Sequence, residues 1–313
     1  MYSENRFPRR YSIEEAWNRD IMKQLVIISG KGGTGKTVIS AALASLIQKK
    51  VMADCDVDAA NLYILLHPEI LEEHTFSGGK KARVDIEKCT GCGNCLDVCR
   101  FAAISETDDG KALIDPVSCE GCAVCSYICP ADAIAMERSI SGKWFVSRTK
   151  YGHFVHARLG IGEENSGKLV AEVRKKAKEI AERDVMDLVI VDGPPGIGCP
   201  VIASLSGTDA ALVVTEPTLS GIHDMERVVK TIHFFKTEAA CCINKYDLNQ
   251  RLSGRIEEWC QNNAVPVVGR VPFDEAVTKS MVQGVPVVEY ADNPASREIR
   301  TMWDKLSNFL GVR

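Results

Sequence analysis

The sequence predicts an α/β protein: a doubly wound, mostly parallel sheet with helices on both faces, interrupted by a small α+β insertion. Three observations predict it. Short β-branched runs alternate with helical stretches along most of the chain. The first two of those runs bracket a glycine-rich turn and a helix. Eight of the 13 cysteines crowd between Cys89 and Cys129, inside the first half of the alternation. Strands that alternate with helices must pair in parallel, because a parallel neighbour is reached only through a crossover.

The elements follow in order. Residues 23–29 (KQLVIIS) read as a buried strand, and the turn GKGGTGKT (30–37) leads into VISAALASLIQ, an Ala/Leu-rich helix. A second strand, VMADCD (51–56), completes a βαβ unit. The apolar pattern stops near His67 and Pro68, and a polar stretch with Gly78, Gly79, Lys80 and Lys81 leads to the cysteine block. Residues 167–184 have the pattern of an exposed amphipathic helix, and 185–191 (VMDLVIV) form a strand ending at Asp192. Further strands are expected at 210–216, 239–245 and 265–272, with helices at 225–235 and 254–262. The resulting division is an N-terminal extension (1–21), a first part of the α/β domain (22–83), the insertion (84–138) and a second part (139–313).

With 38 Lys+Arg against 42 Asp+Glu, the net charge of −4 gives no electrostatic basis for coating nucleic acid. No run approaches the ~18 apolar residues of a membrane span, so stable membrane insertion is not expected. The first twenty residues carry Arg6, Arg9 and Arg10 but no apolar core, unlike a secretory signal. The chain therefore reads as cytoplasmic, and clustered thiols in such a chain read as metal ligands rather than disulfides.

Gly30, Lys31, Gly32, Gly33, Thr34, Gly35, Lys36 and Thr37 fit G-x-x-x-x-G-K-[ST]. Such a loop, placed after a strand and before a helix, lets backbone N–H groups surround phosphate oxygens at a helix N-terminus. Lys36 is expected to reach the β/γ-phosphates of ATP and the Thr37 hydroxyl to ligate Mg²⁺.

The cysteines run Cys89-x-x-Cys92-x-x-Cys95-x-x-x-Cys99, then Cys119-x-x-Cys122-x-x-Cys125-x-x-x-Cys129-Pro130. This is the bacterial ferredoxin spacing twice, in which the fourth cysteine of each run serves the other cluster. One [4Fe-4S] cluster is thus assigned to Cys89, Cys92, Cys95 and Cys129, and a second to Cys119, Cys122, Cys125 and Cys99. Structural zinc is the competing reading, but a single loop with three closely spaced cysteines suits one tetrahedral ion poorly. Arg100 follows Cys99 where the pattern has proline, and FAAI (101–104) and ADAI (131–134) point to an internal duplication.

Lys31, directly after the first glycine, extends the resemblance. The loop resembles the deviant phosphate loop of the MinD/ParA/Mrp ATPases and the nitrogenase iron protein, P-loop proteins of the SIMIBI type. The likeness covers about residues 22–83 and 139–286. It implies a homodimer with ATP at the interface, in which Lys31 contacts the partner's nucleotide. It further implies that Asp56, in DCDVD (54–58) followed by Asn61, positions the attacking water, and that Asp192 holds Mg²⁺ with Thr37 and Asp56. Lys31, Lys36, Asp56 and Asp192 become the catalytic set. Gly193 and Gly196 resemble the segment that senses the γ-phosphate, Asn244 and Pro272 join the nucleotide-binding residues, with Asn244 at the adenine edge, and residues 215–228 also look typical of the family. The implied function is an ATP-hydrolysing iron–sulfur protein in which nucleotide state gates electron transfer to a redox partner protein. The alternatives are a cluster carrier of the Mrp type and a spatial regulator of the MinD/ParA kind.

Other residues are expected to be structural. Cys199 resembles a bridging-cluster cysteine of the nitrogenase iron protein, but no partner cysteine stands near Gly160, Ile161, Gly162 and Glu163, so a buried or idle thiol is expected. Cys241 and Cys242 should point to opposite faces of a strand. Ile299, Met302, Trp303, Leu306, Phe309 and Leu310 fall at helical spacing among mixed charges and read as a core helix rather than a membrane anchor. The six histidines show no ligand spacing. Met22 reads as the natural start of the chain.

Overall fold

The computed structural model describes residues 22–160 and 166–312. The N-terminal extension, the expected start at Met22 as opposed to Met1, and the loop residues Ile161, Gly162 and Glu163 depend on residues outside that set.

In chain order, strand β1 (Lys23–Ser29) is followed by helix α1 (Lys36–Leu46), β2 (Lys50–Asp54) and the short α2 (Tyr63–Leu66). Next come β3 (Glu69–Phe76), β4 (Gly79–Val84), α3 (Asn94–Val98), β5 (Ile104–Glu106), β6 (Ala112–Ile114), α4 (Val124–Ile128) and β7 (Ile134–Ser139). A hairpin of β8 (Gly142–Thr149) and β9 (Gly152–Leu159) precedes α5 (Ser166–Arg183). The rest alternates: β10 (Leu188–Pro195), α6 (Cys199–Leu205), β11 (Ala210–Thr215), α7 (Leu219–Phe234), β12 (Glu238–Asn244), α8 (Gln250–Asn262) and β13 (Val267–Val271). Helices α9 (Glu275–Val282), α10 (Val287–Tyr290) and α11 (Pro294–Leu310) close the chain.

Among the described residues the main sheet has nine strands in the order β13-β12-β11-β1-β10-β2-β9-β8-β3. Pairing is parallel from β13 to β9 and antiparallel over β9-β8-β3. Alternate residues of each central strand enter different cores. Val26, Ile28, Val191, Val213 and Cys241 pack under α5, α6, α7 and α8. Leu25, Ile27, Ile190, Leu212 and Cys242 pack under α1, α10 and α11 on the opposite face. The two adjacent cysteines do diverge, and Ile299, Met302, Leu306 and Leu310 of α11 are buried with Trp303 and Phe309 against them. No described helix is long and apolar enough to cross a membrane.

Strands β3, β8 and β9 have no counterpart in the sequence expectation. β3 (EILEEHTF) lies at the sheet edge with Glu69, Glu72 and Glu73 exposed, so its apolar alternation is erased. In β9, His156 is buried by stacking between Phe145 and Phe154, with centroids 4.9 and 4.7 Å away, and it replaces an aliphatic residue in the pattern. The strand expected at residue 185 begins at Leu188, because Val185 turns the chain with φ 53°.

The cysteine segment builds a separate small body from two two-stranded sheets, β4-β7 and β5-β6, with its own core of Ala82, Ala112, Ile134, Cys95 and Cys125. Its ribbon starts at Gly79, paired with Ser139, ahead of the residue-84 boundary drawn from sequence. The two halves repeat each other. Asp85 N–H donates to Ala133 O and Asp115 N–H to Ala103 O, both at 2.8 Å, so each half is tied to the equivalent point of the other.

Lys50, 1% exposed at the start of β2, is among the largest fully buried side chains, and its ammonium donates to the Tyr151 carbonyl. Burial lowers its pKa from 10.5 to about 8. The folded protein therefore sheds this proton before the unfolded chain does, and stability gains from this group as pH rises from about 8 to 10.5. Lys50→Met is expected to stabilise the protein at pH 7 by about 2 kcal/mol, the desolvation relieved less one lost hydrogen bond. Urea unfolding should show that gain disappear above about pH 10.5.

Candidate functional site

The parallel strands deliver their functional residues to one edge of the sheet, because loops leave all of them at the carboxyl ends. β1 releases the loop 30–35, β2 ends at Asp54 with Asp56 just beyond, β10 carries Asp192, β12 ends at Asn244 and β13 is followed by Pro272. Register sets Asp192 beside Asp54 across the β10–β2 pair.

Lys36 opens α1 and is 5% exposed. Its Nζ lies 2.8 Å from Asp192 Oδ1 and 3.6 Å from Asp56 Oδ2. Burial alone would lower the lysine pKa, but Asp192 and Asp56 outweigh it and the net shift is upward. Ser40 Oγ, one turn along α1, stands 2.8 Å from the same Asp192 oxygen. Asp54 is fully buried and accepts the N–H groups of Asp56 at 3.1 Å and Leu62 at 3.3 Å. Burial and the neighbouring Asp192 push the Asp54 carboxyl well above the ordinary range, and burial also raises Asp56. Three carboxyl groups thus lie around one buried ammonium, two of them in ion-pair contact with it. Asp192 Oδ2 and Thr34 Oγ1 are buried without any hydrogen-bond partner. An excess of negative charge with an unpaired carboxylate oxygen suits a divalent cation, and the half-buried Thr37 stands next to Lys36.

The glycine loop is braced from β12. Asn244 Nδ2 donates to Thr34 O at 2.7 Å while its Oδ1 accepts the Lys245 N–H, so both polar atoms expected at an adenine edge are engaged within the chain. Gly35 has φ 92°, and a Cβ there would stand 2.2 Å from Asn244 Nδ2. Asp247, the last residue of the N-K-x-D-like stretch, accepts the Phe273 N–H at 2.7 Å and so fixes the segment after Pro272.

Lys31 is held within its own chain. Its Nζ pairs with Glu216 Oε1 at 2.8 Å and reaches Ser220 Oγ at 3.0 Å and Thr218 Oγ1 at 3.3 Å. Lys245 takes the other oxygen of Glu216 at 3.2 Å. Burial would raise the Glu216 pKa, but the two lysines together lower it. Ser40 and Glu216 were not singled out from the sequence. Residues 215–228 carry the signal for Glu216, but Ser40 lies in an ordinary helical stretch. Cys199 is exposed at the start of α6, so of the buried or idle thiol expected there the buried alternative does not hold: residue 199 lies on the outer side of a helix whose Val201, Ser204 and Leu205 face the core.

The eight clustered cysteines line two cavities. One is walled by Cys89, Cys92, Cys95 and Cys129, the other by Cys99, Cys119, Cys122 and Cys125. Among the described residues no three Cys, His, Asp or Glu side chains converge on a single-ion point. Ala133 N–H lies 3.3 Å from Cys129 Sγ, and N–H groups of Ala112 and Gly91 lower the Cys89 pKa. Gly121 has φ 67°, and a Cβ there would stand 2.1 Å from Lys80 O.

These contacts predict the outcome of two substitutions. Gly35→Ala should weaken ATP binding at least about tenfold, through the collision with Asn244 and about 1–2 kcal/mol of left-handed strain. Adding Asn244→Ala removes the collision only, so titration calorimetry of the double variant should show partial recovery.

The CobQ/CobB/MinD/ParA nucleotide binding domain matches residues 25–287. An uncharacterized protein of Methanocaldococcus jannaschii is 34% identical over 93% of this chain and 98% of its own length. An iron-sulfur cluster carrier protein of Pyrococcus horikoshii is 26% identical over 46% of this chain and 53% of its own length. The septum site-determining protein MinD of Pyrococcus horikoshii, solved with Mg-ADP, superimposes with a TM-score of 0.56 at 17% identity, covering 93% of this chain and 98% of that one. Its likeness is one of fold. Since the family match spans most of the chain and every strand that forms the nucleotide edge, this protein belongs to the CobQ/CobB/MinD/ParA nucleotide-binding family of P-loop ATPases.

Proposed function

We propose that this protein is an Mg-dependent ATPase whose nucleotide state controls electron transfer through two [4Fe-4S] clusters held in the inserted body. The observation that carries the reading is the sorting of eight cysteines into two four-cysteine cavities, each drawing its fourth ligand from the other run. Small residues at the tight points and N–H groups aimed at sulfur support thiolate ligation of an inorganic cube. Once bound, such clusters supply one-electron storage at potentials tuned by those hydrogen bonds.

At the nucleotide edge, Lys36 exchanges Asp192 and Asp56 for the β/γ-phosphates of ATP. Thr37, Asp56 and Asp192 would hold Mg²⁺, which would supply charge neutralisation at the phosphates. Asp56, freed from Lys36, orients the attacking water, so catalysis rests on placement rather than covalent chemistry. Asn244 keeps the loop open through Thr34, and Pro272 borders the base. The chain works as a homodimer in which Lys31 leaves Glu216 and reaches the nucleotide of the second copy, so each site is complete only across the interface.

The second reading is a carrier that hands clusters to other proteins. It is favoured by the similarity to the Pyrococcus horikoshii cluster carrier, which extends over about half of each chain. Four-cysteine ligation with crossed runs favours retention over release, so it ranks second.

Protein purified without oxygen should contain about eight iron and eight sulfide per chain, the sum of two [4Fe-4S] centres. Cys129→Ser should perturb only the centre at Cys89, Cys92 and Cys95, seen as loss of one of two electron paramagnetic resonance signals. Iron-free protein, or a Cys129→Ser signal change confined to the Cys119 centre, would overturn the assignment.

A further inference from the structure

The inserted body joins the ATPase sheet through a very short neck. β3 ends at Phe76 and β4 begins at Gly79, while β7 ends at Ser139 and β8 begins at Gly142. Only Ser77 and Gly78 on the way out, and Ile140 and Ser141 on the return, separate the two bodies. Ile140 is exposed, whereas Ser141 is 2% exposed and bonded through its N–H, its carbonyl and its hydroxyl, the last also donating to Ser139 O at 3.5 Å. Its N–H donates to Phe76 O at 2.8 Å, its Oγ accepts the Gly78 N–H at 3.2 Å, and its carbonyl accepts the Gly160 N–H at 2.8 Å. Lys168 of α5 reaches Gly78 O at 3.3 Å. One residue before Gly160, the Leu159 N–H donates to Val57 O at 3.3 Å. Val57 directly follows Asp56, whose carboxylate is 3.6 Å from the Lys36 ammonium. Close approach at the same place leaves no slack: a Cβ on Gly142 would stand 2.6 Å from Arg158 O.

We infer that Ser141 is the coupling node between nucleotide and insertion, transmitting displacement of the Asp56–Val57 segment through Leu159 and Gly160 to the neck. The inference rests on the proposed exchange of Lys36 from Asp56 to phosphate. That exchange removes the ion pair fixing Asp56, and the peptide between Val57 and Asp58, one residue further on, carries Val57 O, the first acceptor of the chain. A neck of two residues per strand, pinned by buried bonds, moves the insertion as a body. A long linker would absorb the displacement. Ser141 touches neither nucleotide nor cysteine, so it acts as a positioning residue.

Hydrogen–deuterium exchange on the full-length protein under anaerobic conditions tests this directly, with Mg²⁺ and a non-hydrolysable ATP analogue added or withheld. The wild-type amides of Gly78, Ser141 and Gly160 are expected to change exchange rate by about threefold or more on analogue binding. Ser141→Ala removes the acceptor of Gly78 and the long hydroxyl contact to Ser139 O, and keeps both backbone bonds of residue 141. It should abolish the response at Gly78, retain it at Gly160, and leave ATP hydrolysis within about twofold of wild type. Ser141→Thr, which restores a hydroxyl, should recover the Gly78 response. Equal exchange with and without analogue in the wild type, or a full Gly78 response in Ser141→Ala, overturns the inference. Iron and sulfide measured on the same samples separate the two levels. A neck that responds in iron-free protein sinks the redox reading and leaves the coupling node, and a silent neck in iron-loaded protein does the reverse.

Discussion

A single buried ammonium organises the nucleotide edge. Lys36 sits where three carboxyl groups meet, and Asp192 and Asp56 more than offset the downward pull of burial on its pKa. Removing Lys36 leaves the carboxyl groups uncompensated in a buried site, which is far costlier than losing a surface pair. The spare oxygen of Asp192 is buried without a hydrogen-bond partner, which leaves it free to meet a divalent cation. The parallel register that places Asp192 against Asp54 makes the cluster a property of the sheet rather than of any one loop.

The insertion obeys a different constraint. It is too small to rely on an extensive apolar core, and its few buried residues include Cys95 and Cys125. Duplication compensates in part: Asp85 and Asp115 bind the opposite halves by matching hydrogen bonds, and the two cavities share walls from both runs. Bound metal clusters would contribute folding free energy to such a body, as metal does in other small metal-dependent domains. Its attachment to the end of the β3–β8 ribbon, two pairings away from β2, puts it in mechanical series with the strand that carries Asp54.

The central strands, the phosphate loop and the cysteine pairing were legible because each depends on local pattern. β1 carries the apolar run Leu25–Ile28, the glycine loop follows it directly, and the two cysteine runs repeat one spacing. The three outer strands were not legible. β3 spends its glutamates on an exposed edge, and β9 buries a histidine by aromatic stacking, a contact no periodicity records. Partners distant in sequence were equally hidden. Glu216 meets Lys31 only because β11 lies beside β1, and Ser40 meets Asp192 only because α1 crosses β10. The loop brace from Asn244 to Thr34 depends in the same way on β12 ending level with the glycine turn.

The account stands or falls on whether nucleotide and redox chemistry are linked in one chain. Its most direct measurement is a stopped-flow single turnover in which pre-reduced protein passes electrons to a one-electron acceptor dye, with Mg-ATP, Mg-ADP or no nucleotide. The account predicts that Mg-ATP alters the transfer rate by tenfold or more, about 1.4 kcal/mol of coupling. Identical rates under all three conditions would contradict it.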